Sequence, residues 1–252
     1  MTHAGATPRP FLTAQWRRLA IVSYALDPAL LAPLVPAGLE PDTRDSRAFV
    51  SLVAFDFLDT RVLGVRWPGL TNFPEVNLRF YVRETAVAAT ASAADEPRRG
   101  VCFVKELVPS RLIALVARAV YNEPYERAAM RSSVTTADGT ITVGHAWRLR
   151  GGHALTVRAQ AATVTPAADS AEHWFKEHEW GYGRARSGRT LVYRVEHPVW
   201  AVHPGTSADV RVDFAGLYGQ RWAWLNGATP ASVVLAVGSG VSVFPAGALP
   251  TT

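Results

Sequence analysis

The sequence predicts a single, mainly β domain of β-rich α+β type that encloses a polar-lined cavity. Three observations carry this expectation. The run from Phe73 to Val82 (FPEVNLRFYV) alternates strictly, with Glu75, Asn77, Arg79 and Tyr81 on one face and Val76, Leu78, Phe80 and Val82 on the other. The run from Ala48 to Leu58 (AFVSLVAFDFL) is mostly apolar and rich in Phe and Val, as suits a strand covered on both faces. Asp138-Gly139 and Gly151-Gly152 each divide β-prone runs, so residues 131–165 are expected to form a three-stranded antiparallel meander with tight turns.

The other elements follow in chain order. Residues 1–10 and 247–252 are small, polar or Pro-containing and read as loose tails, leaving one domain over 11–246 without an internal linker. Asp27-Pro28 supplies an N-cap and a first helical position for a short helix that Pro36-Ala37-Gly38 ends. Residues 84–99 read as a turn or ragged hairpin, and Val101–Val108 as the next strand. From Ser110 to Tyr121, Leu112, Ile113, Leu115, Val116, Ala119 and Val120 recur at helical spacing, and Asn122-Glu123-Pro124 stops the helix. Asp169 and Glu172 resemble a capping pair for a short helix reaching about Glu179. Strands are expected at Thr190–His203, Asp209–Phe214 and Val233–Phe244.

Composition narrows the function classes. The chain has 252 residues, 48% hydrophobic and 19% charged, the mix of a globular protein. A lone cysteine, Cys102, and the lack of a basic-then-apolar leader point to a reducing cytoplasmic setting. The longest apolar stretch, Val233–Phe244, is broken by Gly238-Ser239-Gly240 and is too short to span a bilayer, so no membrane partner is expected. The net charge of +5 comes from scattered arginines without a basic run, and no nucleic-acid partner is expected either. The sequence leaves the oligomeric state open, a homo-oligomer included.

No dinucleotide fingerprint, phosphate-binding loop, HExxH or GxSxG elbow is present. His173 and His178 stand five apart, off the spacing that two zinc ligands on one helix need; no metal and no cofactor are expected. Glu75, Asn77 and Arg79 read either as a solvated strand face or as the polar lining of a cavity, with Phe73, Phe80 and Tyr81 beside them favouring enclosure. Lys105 shares a strand face with Val101, Phe103 and Leu107. It reads either as a lysine desolvated enough to act as base or nucleophile, or as one reaching water or pairing with Glu106. His197 is either a satisfied core imidazole or a proton shuttle. Trp200 is core or pocket wall.

The segments FPEVNLRFYV (73–82), GVCFVKELVPSRLIALVARAVYNEPY (100–125), LVYRVEHPVW (191–200), DFAGLYG (213–219) and PASVVLAVGS (230–239) resemble, in order, those of the YqjF-like family, a domain of unknown function distantly related to acetoacetate decarboxylase. The resemblance implies a large, cone-like, mostly antiparallel β barrel with a few flanking helices and an internal ligand cavity. It implies that Glu75 is the acidic pocket residue. Arg118 and Pro124 stand as in the segment that precedes the decarboxylase lysine pair, but Tyr125 and Glu126 occupy those two positions here. Imine chemistry at the usual place is therefore not expected. The expected function is an enzyme performing proton-transfer or lyase-type chemistry on a small carbonyl or carboxylate metabolite. Glu75, Lys105 and Tyr125 are its candidate catalytic residues, and Asn77, Arg79, Tyr81, Arg118, His197 and Trp200 its candidate substrate contacts. The alternative is a non-catalytic barrel that binds a small ligand.

Overall fold

A computed structural model describes residues 9–91, 96–176 and 178–250. In chain order its elements are β1 (Leu12–Leu26), β2 (Leu39–Pro41), β3 (Ala48–Val62), β4 (Phe73–Glu84), α1 (Ala86–Ala91), β5 (Arg99–Val108), α2 (Arg111–Tyr121), β6 (Tyr125–Arg127), β7 (Ala129–Ala137), β8 (Thr140–Arg148), β9 (Gly152–Gln160), α3 (Ala171–Lys176), β10 (Trp180–Arg184), β11 (Thr190–Glu196), β12 (Val202–His203), β13 (Ser207–Arg211), α4 (Phe214–Tyr218), β14 (Ser232–Ala236), β15 (Gly240–Val243) and β16 (Gly247–Ala248). Among the described residues seven strands close a barrel in the order β1, β15, β11, β10, β5, β4, β3 and back to β1. Every neighbouring pair in that ring is antiparallel except β5 with β10.

A second, antiparallel sheet runs β13-β9-β8-β7. Its meander is the expected one, and Asp138 and Gly139 both take the positive φ that a two-residue hairpin of this hand demands. β13 arrives from much later in the chain as a fourth strand. The apolar face of this sheet lies against the outside of the barrel: Leu52, Val76, Leu78 and Phe80 share one buried cluster with Val143, Trp147, Leu155 and Val157. β4 is therefore covered by a sheet together with Phe214 and Leu217 of α4. The apolar residues that alternate along β8 and β9 need a partner face, and sheet-on-sheet packing supplies it.

One end of the barrel is plugged by α3, whose Trp174 and Phe175 pack on Phe49 and Tyr81. Its cap is Ser170, whose hydroxyl accepts from the His173 N–H, and not Asp169. Other boundaries shift for local reasons. Asp27 caps as expected, but Pro33 allows only two short 3-10 turns in place of a helix. The strand expected over 190–203 ends at Glu196, before His197-Pro198, and the one over 233–244 breaks at Gly238, whose φ is +84°. The strand expected to reach Phe214 stops at Arg211, because Asp213 caps α4. α1 occupies part of the presumed hairpin at 84–99, of which 92–95 lie outside the described residues. Residues 1–8 and 251–252 of the expected tails also lie outside them. The rest of the C-terminal tail is not loose: β16 pairs with β11 and Leu249 is buried. No helix among the described residues is long and apolar enough to cross a membrane.

Candidate active site

The barrel encloses a cavity of about 370 Å³. Period-two alternation along β4 sends Glu75, Asn77 and Arg79 into it and Val76 and Leu78 away from it. On the facing strand β5 the alternation is broken. Leu78 pairs with Lys105 and Arg79 with Phe103, so Val104 is an extra residue in a β-bulge. The bulge swaps the faces beyond it: Val101 and Phe103 line the cavity, and after them Glu106 does, while Lys105 points outside.

Asn122, in the left-handed conformation after α2, turns the chain back into the barrel and is held there by its Nδ2 donating to the Arg184 carbonyl. The residues that follow deliver Glu123 and Tyr125 to the cavity, as β6 pairs in parallel with β5 at Glu106. The Arg118 Nε donates to the Tyr125 carbonyl at 2.6 Å, so this arginine holds β6 in place from an exposed position and does not line the cavity.

These elements bring three carboxyls and two phenols into one buried group. Asn77 Nδ2 donates to Glu75 Oε1 at 3.1 Å, and the Tyr125 hydroxyl donates to Glu75 Oε2 at 3.4 Å. Tyr125 also hydrogen-bonds Glu106, Glu106 meets Glu123, and Tyr193 donates to Glu123. Gly181 makes room for the Tyr193 ring, since a Cβ there would overlap it. Burial pushes the Glu75 carboxyl up to about 8; the Asn77 hydrogen bond opposes this and the Glu123 charge adds to it. Burial also raises Glu123 to about 7, against the hydrogen bond from Tyr193 that favours its anion. Glu106 is held well above the usual carboxylate range by burial and then by the charges of Glu123 and Glu75. Three acids that share hydrogen bonds and differ in proton affinity titrate as one unit.

Beside this group lie Arg79, Lys176 and His178, all lining the cavity. His178 Nε2 sits 2.9 Å from Asp42 Oδ2, and Arg99 Nε donates to the same oxygen at 2.6 Å. Burial lowers the His178 pKa despite Asp42, so the neutral ring carries its proton toward the carboxylate and leaves Nδ1 as an acceptor. Among the cavity-lining residues, the buried atoms without a protein hydrogen-bond partner are Trp16 Nε1, Thr60 Oγ1, Asn77 Oδ1, Arg79 Nε, Glu106 Oε2 and His178 Nδ1. Buried polar atoms are normally paired, so six such atoms around one cavity mark where ligand or water groups bind.

Of the residues singled out by sequence, Glu75, Asn77, Arg79, Tyr125, His197 and Trp200 line the cavity. His197 stacks on Trp200 at 4.0 Å, and Trp200 Nε1 donates to Ser239 Oγ. Tyr81 shares the inward face of β4 but lies beyond the cavity, under α3, with its hydroxyl 2.8 Å from Ser51 Oγ. Lys105 is outside, its Nζ donating to Glu126 Oε2 at 2.9 Å and to the Leu217 carbonyl at 2.7 Å. Glu106, Glu123, Tyr193, Lys176 and His178 were not singled out, because a bulge and chain reversals place them and no sequence spacing does. Lys105→Met is accordingly expected to leave ligand binding within about twofold and to cost roughly 1 kcal/mol of stability, as for a lost partly exposed ion pair. A carbonyl adduct trapped by borohydride and mapped to Lys105 would contradict this placement.

Residues 13–240 match the model of DUF2071, described as an uncharacterized conserved protein. Among curated proteins, the chain is 28% identical over 202 residues to the uncharacterized protein YqjF of Bacillus subtilis strain 168, covering 79% of this chain and 77% of that one. Among solved structures it is similar to an acetoacetate decarboxylase-like enzyme from Sphingomonas wittichii RW1 (TM-score 0.62, 14% identity, 100% of this chain and 99% of that one). It is also similar to the enduracididine biosynthesis enzyme MppR complexed with pyruvate (TM-score 0.63, 12% identity, 98% and 93%). The acetoacetate decarboxylase of Legionella pneumophila subsp. pneumophila str. Philadelphia 1 gives a TM-score of 0.58 at 12% identity, over 100% and 90% of the two chains.

Proposed function

The chain belongs to the DUF2071 family and has the acetoacetate decarboxylase-like fold, and from that premise we propose that it is an enzyme moving protons on a carbonyl or carboxylate compound. The observation that carries the reading is the buried cluster of Glu75, Glu106 and Glu123 linked through Tyr125 and Tyr193. Structural ion pairs do not account for it, since the three acids sit together with raised proton affinities in a cavity. The three carboxyls all hold protons more tightly than an exposed glutamate and titrate as one unit, so around neutral pH protonated and ionised carboxyls coexist within the cluster.

In the proposed step a carboxylate of the cluster removes a proton from the carbon next to the ligand carbonyl, while a protonated carboxyl gives one to the carbonyl oxygen, forming the enol. Reversal returns a proton that has exchanged with water. Arg79 holds a carboxylate of the ligand where one is present. MppR, a fold neighbour, binds pyruvate, a compound of this class. An imine route is confined to Lys176, the one lysine side chain that lines the cavity.

The non-catalytic alternative is supported by the wall of Phe55, Phe57, Phe73 and Trp200, which a simple binding protein would also use. Solvent-deuterium exchange at the carbon beside the carbonyl, followed by NMR on a panel of ketones and 2-oxo acids, separates the two. Exchange accelerated by the protein supports the enzyme; ligands that bind without any accelerated exchange would leave only the binding protein. Borohydride trapping on Lys176 would replace enol chemistry with imine chemistry.

A further inference from the structure

The cavity is two-ended. Four of the buried unpartnered polar atoms on its lining residues, on Asn77, Arg79, Glu106 and His178, belong to the end that holds the carboxyl cluster, and two others, Trp16 Nε1 and Thr60 Oγ1, belong to the rest of the wall. Away from the cluster the lining is aromatic: Trp16 meets Phe55 at 4.9 Å, Phe57 at 5.7 Å and Trp200 at 6.2 Å, and Phe57 stacks on Phe73 at 4.7 Å. All five rings border the cavity.

The lining continues to residues that stay open to solvent. Leu112 and Val116 of α2 border the cavity while 52% and 37% exposed, and Trp67, from the loop between β3 and β4, borders it while 52% exposed. The apolar stripe of α2, which its spacing would send into a core, is partly spent on this rim. A cavity of about 370 Å³ is far larger than a three-carbon acid needs. Such an acid would occupy the polar end and leave the ring wall in contact with water, an arrangement that apolar surface disfavours.

We propose that the ligand is amphipathic, with a carbonyl or carboxylate head at Glu75, Asn77 and Arg79 and an aryl or medium-chain alkyl body along Trp16, Phe55, Phe57, Phe73 and Trp200 toward the rim at Leu112, Val116 and Trp67. The head group rests on the reading given under Proposed function; the apolar body does not. Each methylene that enters the wall leaves water, and tighter binding by about fourfold per methylene follows from the usual transfer free energy.

The test is calorimetric titration of the full chain with straight-chain 2-oxo acids from pyruvate to 2-oxodecanoate, and with the methyl ketones of matching length. The expected result is a Kd that falls about three- to fourfold per carbon until the cavity is full. In Trp67→Ala, an exposed site that leaves the core untouched, the gain is expected to shrink for the longest members alone. If the acids bind with no dependence on length, the apolar body is overturned while the head-group reading stands. If the ketones gain with length and the acids do not bind, the body stands and the carboxylate head falls. Absence of binding by every member of both series overturns the proposal.

Discussion

Glu75→Gln is expected to slow proton exchange at the ligand carbon by about 10²–10⁴-fold, the usual contribution of a positioned acid or base, while the protein stays folded. The substitution keeps the shape and leaves Asn77 and Tyr125 with hydrogen-bonding partners, but it removes one of the three titratable carboxyls that border the cavity. It also removes a carboxyl that burial disfavours as an anion, so no loss of stability is anticipated from charge. Tyr125→Phe is a companion: it severs the bridge between Glu75 and Glu106 without touching either carboxyl, and a smaller loss of about tenfold is expected if protons pass along the hydrogen-bonded chain. The pH profile discriminates chemistry from mere packing. In the wild type a limb near pH 7–8 is expected from the cluster, and Glu75→Gln is expected to displace it. Full exchange activity in Glu75→Gln, with an unshifted profile, would remove Glu75 from the mechanism.

How much of this site was legible in the sequence depended on whether strict alternation held. Along β4 it did: period two put Glu75, Asn77 and Arg79 on one face, the flanking aromatics and the family resemblance favoured the cavity side, and they line the cavity. Along β5 one additional residue, Val104, reversed the faces, so the same reasoning selected Lys105 and passed over Glu106. β1 escaped notice for a related reason. Gln15, Arg17 and Arg18 interrupt its apolar pattern, and Arg18 takes a φ of +57° at an irregularity in its pairing with β3. The polar interruption has a partner only in three dimensions, since Arg18 pairs with Asp56 across the two strands. Glu123 read as part of a helix stop, which it is; that the same reversal aims its carboxyl at Glu106 needs the barrel to be closed. The helix α2 was legible to the residue at its cap, with Ser110 accepting from Ile113, yet its apolar spacing gave no sign that the stripe would serve a rim.

The second large effect concerns stability, and its sign follows from the same three acids. Each binds its proton more tightly in the folded protein than in the unfolded chain, where a glutamate titrates near 4.5. The folded state therefore carries more protons as pH rises above about 4.5, and stability declines until the folded groups have ionised, at about 8 for Glu75. The histidines act oppositely. Burial lowers His145 to about 4 and also lowers His178, so the unfolded chain binds more protons below 6.5 and those rings favour folding less as the solution becomes acid. The two effects oppose each other most strongly below pH 6.5; between 6.5 and 8 the histidine effect fades, since an unfolded ring of pKa 6.5 is half protonated at the lower limit and nearly neutral a unit above it, while the carboxyl effect persists. Over that window Glu75 by itself is worth on the order of 2 kcal/mol, which for a domain of this size lowers Tm by roughly 4–8 °C. Thermal unfolding of the ligand-free protein from pH 6.5 to 8.5 is expected to show this fall, and Glu75→Gln to show a shallower one and a higher Tm than wild type at pH 8.5. A Tm that is flat or rising over that range would mean the cluster is ionised at neutral pH without cost, and the coexisting acid and base forms on which the proton-transfer reading rests would be absent.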